Sequence, residues 1–202
     1  MPAVTLDVMT LDAHRGFDDP QRSQDLTFLL AELAEVAIFT NAHNPDTPLP
    51  ERTLEHFKDV DFSIGHSVSN EGVNSRATIF AVHNALQEGV RKGIEQTHLN
   101  GNAAMKAIVR HPHTRRSIRC IGVDTSNANV AGLFRPIARG SYDHIVFGQP
   151  QALDRVAQHD PDALALDRHA YALVTPGLKV AGASLSSRGD LQALVVKLAM
   201  LK

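Results

Sequence analysis

Two histidines flank a proline at His111-Pro112-His113. Alternate residues of an extended segment point the same way, so such a pair can share a metal ion or do acid–base work. A metal site needs at least a third ligand, and Asp124 and Asp143, the acids that follow, stand in no ligand pattern. Within the run LNGNAAMKAIVRHPHT, Leu99 to Thr114, the pair reads better as the punctuation between two structural elements.

Other candidate constellations fare similarly. GHSVS, Gly65–Ser69, lacks the second glycine of a nucleophile elbow, so a strand with polar residues facing solvent is expected. Lys106, Arg110, Arg115, Arg116 and Arg119 form a basic cluster that can take phosphate or the acidic surface of a neighbouring subunit, with a solvated face as the default. His83 reads as a hydrogen-bonded core or interface histidine, and Arg188-Gly189-Asp190 as a turn. Neither GxxxxGK[ST] nor GxGxxG occurs. No nucleophile, base and orienting group assemble, so no catalytic, cofactor-binding or metal-ligating residue is assigned and no cofactor is expected.

The totals narrow the classes. The chain has 202 residues, 43% hydrophobic and 21% charged, enough for one globular core. A net charge of −2 argues against a general nucleic-acid binder, and aromatics at 5% with no Trp supply few stacking platforms. The single cysteine, Cys120, excludes an internal disulfide framework. No secretory leader is evident, and no apolar run reaches the ~18 residues of a membrane span.

Elements that would position these groups follow from spacing and punctuation. Residues 1–22 read as an arm. Leu26, Leu29, Leu30 and Leu33 fall on one face of a helix expected from Gln24 to Ala37, with Ser23 as its N-cap. Thr40–Arg52, with three prolines, is expected to be a projecting loop, and Val60–Val68 a strand. Ile79, Val82, Leu86, Val90 and Ile94 recur every three or four residues, predicting one long helix over Arg76–His98 closed by Asn100-Gly101. SIRCIGVDTS, ANVAGLFRPI and YDHIVFG read as strands, and QALDRVAQH as a short helix. Two more strands are expected around Pro176-Gly177, while LQALVVKLAMLK suits helix or strand. The expected fold class is α+β, mixed sheets with one long central helix, divided into an arm, helix and loop (1–52) and a body (53–202).

One run, Asp61–Thr114, resembles the middle of tailed-phage major capsid proteins and encapsulin shells. The resemblance rests on Val68-Ser69-Asn70-Glu71 before the expected long helix, Leu99-Asn100-Gly101-Asn102 closing it, and Ala107–Pro112 as a turn. It implies a capsid-shell-like architecture and a non-enzymatic, self-assembling subunit located in the virion. Its implied partners are copies of itself, other virion proteins and non-specifically held nucleic acid, with no membrane. Two alternatives stay open: a small cytoplasmic α/β enzyme using His66, His111 or His113 as metal ligands or acid–base groups, and another virion ring, connector or tail component.

Overall fold

The computed structural model describes residues 5–69, 76–87, 93–99, 102–112, 116–125, 143–150, 163–167, 170–174 and 178–200. Its chain runs through β1 (Thr5–Asp12), α1 (Pro20–Leu33), β2 (Val36–Thr40), α2 (Glu51–Asp59), β3 (Phe62–Ser69) and β4 (Arg76–His83). It continues through β5 (Glu95–Leu99), β6 (Asn102–Arg110), β7 (Ser117–Thr125), β8 (Asp143–Pro150), β9 (Ala163–Asp167) and β10 (Ala170–Val174). The hairpin of β11 (Leu178–Arg188) and β12 (Leu191–Met200) follows. Among the described residues the strands form two six-stranded sheets, ordered β11-β12-β1-β2-β4-β3 and β5-β6-β7-β8-β10-β9.

Alternation along the first sheet sorts its residues into two cores. Leu6 and Val8, Val36 and Ile38, Phe80 and Val82, and Leu194, Val196 and Leu198 face the second sheet, meeting Met105, Ala107, Val109, Ile118 and Cys120. The opposite face carries Met9, Leu11, Phe39, Ile79 and Ala193 against Leu26, Leu29 and Leu30 of α1 and Phe57 of α2. Phe17, Phe39 and Phe57 anchor this outer layer, with ring centroids 5.1–6.0 Å apart. Between the sheets the approach is close at Gly122, where a Cβ would stand 2.7 Å from Phe80 Cδ2 and 2.8 Å from Ile38 Cδ1.

Being covered on both faces explains the main departures from expectation. A strand buried on two sides is apolar at nearly every position, so it imitates a helix in spacing. RATIFAVH is such a strand: the long helix over Arg76–His98 does not exist, and the span holds β4, a 3-10 turn at Asn84–Leu86 and β5. The expected helix from Gln24 to Ala37 lies earlier. Asp19 accepts a hydrogen bond from the Arg22 backbone N–H at 2.8 Å, and Pro20 occupies the first turn. The chain turns extended at Ala34, because Val36–Thr40 is buried at every residue as β2.

Two further expectations change. Thr5–Asp12, within the expected arm, is an interior strand between β12 and β2. The expected loop is present over residues 41–50, between β2 and α2, but it is anchored at its start: Thr40 ends β2, Ala42 and His43 are wholly buried, and α2 begins at Glu51. The strand at Val60–Val68, those at SIRCIGVDTS and YDHIVFG, and the pair flanking Pro176-Gly177 are present as β3, β7, β8, β10 and β11. The ambiguous LQALVVKLAMLK is strand β12. ANVAGLFRPI and QALDRVAQH lie outside the described residues. The coarse α/β character holds, with mostly sheet and two helices among the described residues; the long central helix and the shell architecture do not.

Candidate active site at the strand rim

β1 and β2 run parallel, so their C-terminal ends share one rim of the first sheet. There the face toward the second sheet changes character within one row. Leu194, Thr10, Ile38, Phe80 and Gly65 are cross-strand neighbours in register. One row nearer the rim, Asp12 faces Thr40 and Thr78 faces Ser67. Thr40 and Thr78 adjoin one residue beyond the Phe39–Ile79 pair. The row Asp12-Thr40-Thr78-Ser67 therefore crosses β1, β2, β4 and β3, closing an apolar core with a carboxylate and three hydroxyls. Thr40, Thr78 and Ser67 are buried. Arg76, two residues before Thr78, brings a guanidinium to the same face.

Hydroxyls in a core normally find partners, because leaving one unsatisfied costs about 1–3 kcal/mol. Among the described residues Thr10 Oγ1, buried just beneath the row, has none.

The backbone around Asp12 is constrained. Its carboxylate accepts from the His14 backbone N–H at 2.9 Å and from Asn41 Nδ2 at 3.3 Å. His14 Nδ1 stands 3.4 Å from the same oxygen. His14 (φ 48°), Arg15 (φ 58°) and Asn41 (φ 48°) adopt left-handed conformations uncommon for residues with side chains. Such outliers gather where a chain must present groups in a set direction. Backbone bonds from Ala13 to Thr40 (2.9 Å) and from Arg15 to Asn41 (2.7 Å) lock the two strand exits together. Nearby, Arg22 Nη2 donates to Asp190 Oδ2 at 2.8 Å, tying α1 to the β11–β12 turn. That hydrogen bond holds the Asp190 carboxyl below the usual carboxylate range.

Of the sequence candidates, His111 is buried at the exit of β6, where its N–H reaches Arg116 O at 3.2 Å. The connecting role therefore joins two strands, β6 and β7; His113 and Arg115 lie outside the described residues. In GHSVS, Ser67 is buried toward the second sheet and does not face solvent. Lys106 pairs with Glu95 at 3.2 Å. His83 ends β4, where its ring accepts from the Ala85 N–H at 3.2 Å. Asp12, Thr40, Asn41 and Thr78 went unnoticed, since residues this far apart become neighbours only through sheet register. Among the described residues no three His, Cys, Asp or Glu side chains converge to hold a metal ion.

Solved structures with this architecture are found throughout its length. The catalytic domain of human Nocturnin, with bound sulfate, superposes with a TM-score of 0.63 at 11% identity, covering 98% of this chain and 94% of that one. The fold is that of the endonuclease/exonuclease/phosphatase proteins. A Bacteroides vulgatus protein described by that name matches with a TM-score of 0.61 at 9% identity, over 98% of this chain and all (100%) of the other. ANGEL2, a 2',3'-cyclic phosphatase in complex with adenosine-2',3'-vanadate, matches with a TM-score of 0.62 at 9% identity, over 98% and 96% of the two chains. No family profile and no curated protein matches the sequence. The endonuclease/exonuclease/phosphatase fold overturns the capsid and encapsulin resemblance over Asp61–Thr114. With it go the virion location and the non-enzymatic shell subunit, whose spine helix is a strand, a turn and a second strand.

Proposed function

We propose that the chain hydrolyses a phosphate ester at the rim of its first sheet, an enzyme using polar side chains where the alternative reading invoked histidines alone. The observation that carries this reading is the row Asp12-Thr40-Thr78-Ser67 with Arg76 beside it. The fold supports it, because similar structures include a 2',3'-cyclic phosphatase and a catalytic domain with bound sulfate, a tetrahedral oxyanion like phosphate. A shared fold does not by itself assign an activity, so the argument rests on the site.

The chemistry follows from the groups present. The Arg76 guanidinium offers charged donors to the non-bridging oxygens, and the buried threonine and serine hydroxyls form the polar floor beneath it. Such preset donors stabilise the charge that builds up as phosphorus passes through its transition state. The Asp12 carboxylate, aimed by Asn41 and the His14 N–H, takes a proton from the attacking water. The new bond joins water oxygen to phosphorus, and the P–O ester bond breaks. The departing oxygen, on the far side of phosphorus, takes up a proton from water.

The test is turnover by the purified chain, with added Mg²⁺ and with chelator. Substrates are a phosphomonoester, a phosphodiester, a nucleoside 2',3'-cyclic phosphate and a short oligonucleotide. At least one should be cleaved, and Asp12→Ala should lose about 10²–10⁴-fold in rate while keeping its fold. Cleavage of none, or equal rates in the variant, would remove the proposal.

A further inference from the structure

On the opposite face of β3, away from the polar row, His66 meets His43 with their Nε2 atoms 2.6 Å apart. His66 follows Phe62 and Ile64 on the face that packs toward the helices. His43 is wholly buried and His66 is half-buried, so solvent reaches the pair from the His66 side.

The tautomers are fixed by the partners. His43 Nδ1 lies 2.7 Å from Asn44 O, a pure acceptor, so Nδ1 carries the proton and donates. His43 Nε2 is then a bare lone pair aimed at His66. An imidazole with one nitrogen donating to a backbone carbonyl and the other bare is the arrangement that metal-binding histidines adopt. The loop presenting it is held firmly. Ala42 N–H donates to Ala77 O at 2.7 Å, and Asn44 N–H donates to the Asp18 carboxylate at 2.9 and 3.1 Å. Without an ion, His66 must turn its own Nε2–H toward His43, giving a contact shorter than ordinary hydrogen bonds of about 2.7–3.2 Å.

We propose that His43 and His66 form a two-histidine site for an imidazole-seeking divalent cation such as Zn²⁺ or Cu²⁺, its other positions filled by water. Two Zn–N bonds of about 2.0–2.1 Å at a tetrahedral angle place their nitrogens roughly 3.3 Å apart. Moving the half-exposed His66 ring outward by well under ~1 Å reaches that spacing. Ligation needs both rings neutral. Imidazole suits Zn²⁺ and Cu²⁺, while Mg²⁺ and Ca²⁺ prefer oxygen. The site is separate from the proposed phosphate site, lying on the other side of the sheet.

Calorimetric titration of the full chain with Zn²⁺ alone tests this without any substrate. Wild type should take up one equivalent at a site that His66→Gln weakens by more than the ~10–100-fold typical of losing an outer-shell partner. The remaining histidines are common to both proteins, so the difference isolates the pair. A second measurement needs no variant: nitrogen-15 spectra should show the Nε2 signals of both His43 and His66 shifting as Zn²⁺ is added. No uptake by wild type, equal affinity in His66→Gln, or shifts confined to other histidines would overturn the site.

Discussion

Ser67 and Thr78 face one another across β3 and β4, with both side chains buried against the second sheet. With Thr40 and Asp12 they continue a polar seam over a core otherwise built of Leu, Val, Ile and Phe. Hydrophobic burial alone would favour apolar residues in such places, at about 25 cal/mol per Å². Polar side chains are kept in such places where hydrogen bonds offset the lost apolar burial.

Thr10 tests that idea from beneath. Its hydroxyl is buried with no hydrogen-bond partner among the described residues, so Thr10→Val removes a polar atom at nearly constant volume. The variant should gain roughly 1 kcal/mol in a urea unfolding measurement. A loss of stability would mean that the hydroxyl is satisfied in solution.

Gly122 tests the close approach of the sheets. An added methyl would meet Phe80 and Ile38, both confined in the inter-sheet core. Gly122→Ala should cost about 1–3 kcal/mol, as overpacked cores do. A chain of this size would melt about 2–4 °C lower for each kcal/mol. An unchanged melting temperature would show that the sheets are looser here than described.

Cys120 reports on the same core. Burial pushes its thiol far above the ordinary range, leaving essentially no thiolate at neutral pH. A thiol reagent should not label the native chain, and labelling should follow the unfolding curve with denaturant. Prompt labelling of native protein would place Cys120 outside the core.

The histidine pair gives stability a pH dependence. Burial, and then His43, hold the folded pKa of His66 below the ordinary histidine value of 6.5. Well above pH 6.5 the ring is neutral in both states, and stability is full. As pH falls below that value the unfolded chain takes the proton first, so stability declines until the folded pKa is passed. Urea midpoints of metal-free protein should fall across this window, and His66→Gln should flatten that part of the curve. Identical slopes in both proteins would refute the assignment.

Legibility differed by element. β7, β8 and β12 are short apolar runs between turn residues, and their sequences suggest strands or leave strand open. RATIFAVH misleads because burial on both faces erases the alternation that marks a half-exposed strand. Asp12 was hidden by position: in the sequence it is a polar residue in an apparent arm, and only pairing with β2 brings Asn41 to it. His66 was noticed as a possible ligand or base, but its partner His43 sits in a Pro-rich stretch that reads as solvent-exposed. Proline, Asn and Asp mark a loop without telling whether its backbone is tied down, and here Ala77 and Asp18 tie it.

β1 is clasped between β2, its near neighbour along the chain, and β12, formed almost two hundred residues later. On the ribosome, therefore, β1 emerges long before one of its two flanking strands exists, and that flank waits with unpaired amides and carbonyls through most of synthesis. The first sheet therefore cannot be completed until β12 has been made.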